Sequence, residues 1–236
     1  MSILYVGATP IGNMEDLTLR MKRLFEEVDI VACEDTRVTG NLLHKLGIKK
    51  KMISLYQPKE REKSEYLISL MKEEDISILL VSDNGTPTVS DPGWILVDKC
   101  INEGIEVVPI PGPSAFTTAI CSSGFSADSF YFLGFLPKKP GKKIKTLKYA
   151  KSVNGLIIIY ESPFRLVKTL EDIETVYGSE VNVFVGRELT KMHEEKNRGN
   201  VKHLLNFYKE KSIKGEIVII IENYINIKEI FKEFER

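Results

Sequence analysis

Histidine, cysteine and tryptophan are scarce in this chain, with three, three and one among 236 residues. His44, His193 and His203 are scattered, and no cysteine stands near them at a metal-ligand spacing, so no metal site is expected. Cys33, Cys100 and Cys121 are odd in number, far apart and set in apolar surroundings. They read as buried thiols in a reducing compartment, not as a disulfide framework. Apolar runs of the roughly eighteen residues needed to span a bilayer are also missing. The start, Met1-Ser2-Ile3-Leu4-Tyr5, carries no basic leader and goes straight into a strand, which reads as a cytoplasmic protein. No glycine-lysine-serine or glycine-lysine-threonine triplet is present to cradle a nucleotide triphosphate. Gly7-Ala8-Thr9-Pro10-Ile11-Gly12 follows the first strand, but Pro10 restricts a loop that a dinucleotide fold would turn directly into a helix. ATP and NAD thereby lose their simplest support.

An excess of either charge is lacking too, since 33 basic residues balance 33 acidic ones. The balance excludes no partner, because local distribution governs recognition. Lys138 to Lys151 holds seven lysines and no acid. Such a run suits a phosphate backbone, and equally a solvated loop and helix face.

Short β-branched segments at 3–6, 30–32, 51–55, 76–81 and 107–110 alternate with helix-like stretches at 17–27, 39–46, 63–74 and 94–102. This alternation predicts a mostly parallel sheet covered on both faces. A helix at 114–121 closes the segment. Strands at 130–135, 155–160, 181–185 and 216–222, with helices at 144–152, 163–176 and 201–210, predict a second α/β domain. The expected domains are 1–124 and 125–236, with a terminal helix at 227–236. Three loops rich in glycine and proline follow strands of the first domain: Ala8 to Asn13, Ser82 to Gly93, and Pro109 to Ala115. Open α/β sheets hold ligands at the carboxyl ends of their strands, so these loops mark a small-molecule site.

The loops, read in order, carry a resemblance. Tyr5-Val6-Gly7-Ala8-Thr9-Pro10-Ile11-Gly12-Asn13 resembles the opening of the ribosomal RNA small subunit methyltransferase I family, within the tetrapyrrole (corrin/porphyrin) methylase superfamily. The likeness continues through Cys33-Glu34-Asp35-Thr36-Arg37, Ser82 to Gly93 and Pro111-Gly112-Pro113-Ser114-Ala115. It extends to Gly134-Phe135-Leu136-Pro137, Tyr160-Glu161-Ser162-Pro163-Phe164-Arg165, Gly186-Arg187-Glu188-Leu189-Thr190-Lys191 and Lys214-Gly215-Glu216. Eight such segments in one order cover nearly the whole chain. The resemblance implies a two-domain tetrapyrrole-methylase-like fold with a donor cleft between the domains, and S-adenosyl-L-methionine as methyl donor. It implies 2′-O-methylation of a cytidine in the decoding region of 16S ribosomal RNA, free or in the 30S subunit, by a homodimer with no membrane or DNA partner. Two departures stand out: Phe164 occupies a position where members often have histidine, and the chain ends soon after Lys214-Gly215-Glu216, where many relatives continue. A porphyrin-precursor methyltransferase and a non-catalytic RNA-binding assembly factor are the competing readings.

Under this resemblance Pro10, Asp83, Gly85, Thr86, Asp91 and the loop Pro111, Gly112, Pro113, Ser114 and Ala115 are assigned to the donor pocket. Asp83 and Asp91 equally suit turn or helix-cap roles. Glu34, Asp35 and Arg37 stand after a central strand, where charge is costly to bury. Arg37 would grip a phosphate with an acidic neighbour orienting it, or belong to a structural ion-pair network. Glu34, Glu161 and Lys191 are the candidates to take a ribose proton or favour the developing oxyanion. Lys138, Lys139, Lys142, Lys143, Arg165 and Arg187 are the RNA-facing candidates besides Arg37. His193 sits among charged residues and reads as an exposed loop residue, with a catalytic role the lesser alternative; His44 and His203 read as helix residues. Trp94 is expected to pack the loop before it against the core, and Tyr160 to pack or to support a ligand.

Overall fold

The computed structural model describes residues 2–224; the terminal helix expected at 227–236 lies outside the described residues. The chain divides after Ser114 into two compact units.

In the first unit, β1 (Ile3–Gly7), β2 (Ile30–Cys33), β3 (Lys51–Ser54), β4 (Ile78–Val81) and β5 (Glu106–Ile110) form one sheet in the order β3-β2-β4-β1-β5. Every pairing is parallel. The central strands Ile-Val-Ala-Cys and Ile-Leu-Leu-Val are buried at every position, as a sheet covered on both sides requires. Alternate residues serve opposite faces. Ile30, Ala32, Ile78 and Leu80 pack with α3 (Glu60–Glu74) and α4 (Trp94–Asn102). Val31, Cys33, Leu79 and Val81 pack with α1 (Leu19–Glu27) and α2 (Thr36–Lys45). Thr18 caps α1 by accepting from the Met21 amide, and Asp35 caps α2 by accepting from the Arg37 amide.

The second unit begins with α5 (Ala115–Ser123), so the helix expected to close the first domain belongs instead to the second. Its Ala119 packs with Leu156, Ile158, Phe184, Val218 and Ile220 on one face of a five-stranded sheet. The strands are β6 (Phe130–Phe135), β7 (Gly155–Glu161), β8 (Asn182–Arg187), β9 (Glu195–Asn200) and β10 (Ile217–Asn223), in the order β6-β7-β10-β8-β9. Only β6 and β7 pair in parallel; the other three pairings are antiparallel. The opposite face buries Ile157, Ile159, Val183, Val185 and Ile219 beneath α6 (Pro140–Lys151), α7 (Leu166–Tyr177) and α8 (Val201–Lys209). Strand β9, Glu-Lys-Asn-Arg-Gly-Asn, is not predicted from sequence. It is a polar edge strand with no apolar alternation, paired with β8 and tied by Asn197 and Glu195 to the Tyr208 hydroxyl of α8.

Cys33 and Cys100 are buried, and burial pushes their thiols up to about 11 and about 12. Cys121 corrects the expectation of three buried thiols: it is exposed on α5.

Candidate active site

Because the first sheet is all parallel, the loops after β1, β2, β4 and β5 leave from one end of it. Three of them are stitched through backbone groups. The Thr9 amide donates to the Gly85 carbonyl at 2.9 Å, and the Gly85 amide returns to the Thr9 carbonyl at 3.1 Å. Thr9 Oγ1 donates to the Ser82 carbonyl at 3.0 Å, and Ser82 Oγ to the Gly85 carbonyl at 3.0 Å. Thr86 Oγ1 joins the last loop by donating to the Pro113 carbonyl at 3.0 Å. Gly85 adopts φ +85°, open to glycine without strain. At Gly112 the chain passes so close to the first loop that a Cβ would lie 2.9 Å from the Ala8 Cβ. Thus Gly85, Thr86, Gly112 and Pro113, assigned from sequence to one pocket, do adjoin, and Pro10 is buried beside Thr9. Asp91 and Ser114 are half-buried, and Ala115 opens α5 in the second unit.

Loop 82–93 stores local strain: Thr88 and Ser90 both hold positive φ, at 71° and 67°. Its exit is fixed by Glu60, a residue sequence reasoning missed. This carboxylate is buried at 3% exposure and accepts from the Gly93 and Ile95 amides at 2.8 and 3.2 Å, occupying the start of α4. A glutamate opening one helix carries no sequence signal that it caps another. Trp94 corrects an expectation: it is 59% exposed and does not pack the loop inward.

Beside these loops a cavity of about 380 Å³ is lined by Glu34, Asp35, Thr36, Ser54, Tyr56 and Asp83. Asp83 Oδ1 accepts the Asp35 amide at 3.1 Å, linking the β4 and β2 loops. Burial, with Asp35 nearby, raises the Asp83 carboxyl above its ordinary range against the effect of that hydrogen bond. Burial raises Glu34 likewise, reinforced by Asp83 and Asp35. Asp35 behaves oppositely: the Arg37 guanidinium donates Nε at 3.0 Å and Nη2 at 2.5 Å and brings it down to about 2. Asp35 is therefore a helix cap and the partner of Arg37, whose side chain remains 88% exposed. Tyr56 was not anticipated; an isolated tyrosine after an edge strand carries no motif.

In the second unit several expectations are corrected. Lys143 is not an RNA-facing residue: it is 4% exposed, and its Nζ lies 2.5 Å from Asp172 Oδ2 on α7. Lys143, Leu147 and Ala150 share the spacing of one helix face, and that face is buried. Glu161 is not an accessible base. It is buried, accepting from the Ser162 amide at 2.7 Å and Thr169 Oγ1 at 2.6 Å, with Arg165 Nε at 3.4 Å. Arg165 turns inward from the expected RNA face, and its Nη2 donates to the Leu136 carbonyl at 3.0 Å. Tyr160 packs against Phe132 and Phe135, ring centroids 4.8 and 5.8 Å away.

Lys191 is a paired ammonium. Burial works against its charge, yet Glu216 at 2.9 Å and Glu188 at 3.1 Å hold its pKa above the ordinary lysine range. It suits charge stabilisation and not proton abstraction. Arg187 borders a second cavity, of about 290 Å³, with His193, Tyr208 and Lys211. Its Nη1 donates to the Lys214 carbonyl at 3.2 Å, and its Nε lies 3.7 Å from Glu195. His193 is exposed, while His44 and His203 lie on α2 and α8 as expected. Lys138, Lys139 and Lys142 are exposed. Among the described residues no group of histidine, cysteine and acidic side chains is arranged to hold a metal ion.

Comparison with known proteins decides the family. The model for tetrapyrrole (corrin/porphyrin) methylases matches residues 3–205. Ribosomal RNA small subunit methyltransferase I of Thermotoga maritima is 42% identical over 221 residues, covering 94% of this chain and 98% of that protein. The protein of the same name from Pasteurella multocida is 44% identical over 225 residues, 94% of this chain and 80% of that one. The chain belongs to the ribosomal RNA small subunit methyltransferase I family. It is thereby a tetrapyrrole methylase by superfamily, and the fold agrees. A uroporphyrin-III C-methyltransferase from Thermus thermophilus, solved with S-adenosylhomocysteine, matches with TM-score 0.66 at 17% identity, over 93% of this chain and 97% of that one. A cobalt precorrin-4 methyltransferase matches with TM-score 0.69 at 16% identity, over 93% and 94%. No helix among the described residues is long and apolar enough to cross a membrane.

Proposed function

We propose that this protein transfers the methyl group of S-adenosyl-L-methionine to the ribose 2′-hydroxyl of a cytidine in the decoding region of small-subunit ribosomal RNA. The observation that carries the reading is the set of backbone-stitched loops at the carboxyl end of the parallel sheet, within a chain of this family. Those loops fit the donor. Gly85 and Gly112 keep Cβ atoms out of a crowded cradle, and Thr86, Asp83 and the main chain of Pro111–Ser114 offer polar groups to its charged end, ribose and adenine. When bound, S-adenosyl-L-methionine supplies a methyl carbon on a positively charged sulfur, a good leaving group that needs no metal.

The residues of the chain then have divided work. The stitched loops hold the site in one geometry, and alignment of reacting atoms lowers the barrier by avoiding the entropy of encounter. Asp83 orients the loop that carries Glu34 and Asp35. Of the three candidate bases, Glu161 is sealed and Lys191 is held protonated, which leaves Glu34. Its raised pKa brings it closer to the proton it must take from a weakly acidic hydroxyl. Arg37, exposed and fixed by Asp35, faces solvent as a phosphate contact. The same reading takes the protein to be a cytoplasmic homodimer.

The test incubates the protein with labelled S-adenosylmethionine and either small ribosomal subunits or naked ribosomal RNA, then maps the labelled nucleoside. The expected product is 2′-O-methylcytidine. Its absence on every small-subunit substrate overturns the reading.

A further inference from the structure

The second sheet gathers at one end a surface that the proposed chemistry does not use. Strands β6 and β7 are parallel, and β8 runs with them because both β7 and β8 are antiparallel to β10. The loops after β6 and β7 are bound together there, since Arg165 in one donates to the Leu136 carbonyl in the other. Phe164 stands on this joined pair of loops with its side chain 95% exposed. It is not on a loose segment: Pro163 precedes it, the Arg165 amide donates to the Ser162 carbonyl at 3.0 Å, and Arg165 is anchored on buried Glu161. Among the described residues its ring stacks on no other aromatic ring. The adjoining loop and the start of α6 present Lys138, Lys139 and Lys142, all exposed and without an acidic partner among the described residues. Phe135, 59% exposed, ends β6 at the same place.

We propose that Phe164 is a base-stacking residue for single-stranded RNA, with Lys138, Lys139 and Lys142 holding the phosphates that flank the stacked base. This inference rests on the reading that the substrate is ribosomal RNA. A rigidly held, solvent-facing ring beside uncompensated cations is the pattern that unpaired nucleic acid selects. A base offers its flat face to the ring while its backbone meets the charges, and a duplex offers no such face. An apolar protein partner would have no use for three unpaired lysines on the loop bound to that of Phe164, and charge complementarity therefore favours the polyanion.

The test titrates the full-length protein, without donor, into a fluorescently labelled short single-stranded RNA and into the same strand annealed to its full complement. Wild type is expected to prefer the single strand. Phe164→Leu, which keeps an apolar side chain but loses the aromatic face, is expected to bind the single strand about tenfold more weakly and to lose the preference. Phe164→Tyr is expected to retain both. Replacing Lys138 and Lys139 by glutamine should flatten the dependence of affinity on salt. The inference is overturned if Phe164→Leu binds the single strand like wild type. It is equally overturned if the variant's defect lies in donor affinity by calorimetry, or in oligomeric state by sedimentation, which would make the ring a donor contact or a contact between copies. A Phe164→Leu protein with normal RNA binding, beside a wild type that methylates small subunits, refutes the stacking role alone. A wild type that binds RNA through Phe164 and methylates no subunit refutes the function alone.

Discussion

The two sheets each have five strands, yet they hold their functional ends by different means. In the first, loops are joined on main-chain groups, by amides, small hydroxyls and the Asp83 carboxylate, and by glycines that let one segment press on another. In the second, charged side chains do the tying: Glu161 with Arg165 and Lys191 with Glu188 and Glu216 in the loops, and Lys143 with Asp172 between the helices α6 and α7. Such stitching depends on a few small hydroxyl residues, Thr9, Ser82 and Thr86, and fails where a Cβ intrudes at a glycine. Ion-pair anchoring fails when the partner of a buried charge is lost, as at Glu161, Lys143 and Asp172, because the survivor is left charged and buried. On the proposed reading, the first design serves a ligand shared across a superfamily, and the second a surface tuned to one kind of substrate.

This contrast breaks most visibly at Lys143. Lys143→Met should cost about 3 kcal/mol in urea unfolding, since it leaves buried Asp172 with only exposed Lys168 at 3.5 Å, and adding Asp172→Leu should recover most of it. A loss under 1 kcal/mol, on the order of a surface substitution, would remove the pair from the fold's supports. In the first unit the corresponding break is steric. Gly93 holds φ +126°, and a Cβ there would lie 2.7 Å from Leu80, so Gly93→Ala should cost about 1–3 kcal/mol and weaken donor binding with it. Urea midpoints and donor calorimetry on one preparation check both halves.

A smaller change sharpens the role of the acidic cavity. Asp83→Ala removes the acceptor of the Asp35 amide and should weaken donor binding about tenfold with the fold intact; unchanged affinity would return Asp83 to loop structure. The smallest effect is a matter of pH. Glu34 has a folded pKa raised above its unfolded value, so the folded state binds that proton more tightly. Its stabilising contribution is present at acid pH and lost as pH rises through the raised value. Glu34→Gln should therefore melt higher than wild type near neutral pH, with the gain vanishing below the ordinary carboxylate range. A gain that persists there would detach it from titration.

The parallel sheet was legible because Ile30–Cys33 and Ile78–Val81 are apolar throughout, and the adjoining loops of the first unit because glycine and proline punctuate them. The domain boundary was not, since α5 carries the same apolar content whichever sheet it covers, and only the packing of Ala119 decides. Lys143 misled as part of a lysine run: composition registered seven charges, while the helical spacing to Leu147 and Ala150 held the contrary signal. Glu161 and Arg165 were found as a motif, but whether a charged pair faces substrate or core depends on Thr169, eight residues away on the next helix.

Strand β9 went unseen for its polarity, and that polarity has a consequence for the molecule in a crowded cell. An outermost strand exposes a row of unpaired amides and carbonyls that any passing chain of β-forming sequence can extend. Here Lys196 and Arg198 are exposed along that row, so an incoming strand would have to surrender hydration of both cations to dock. The feature that hides the strand from prediction is what keeps the sheet from growing into its neighbours.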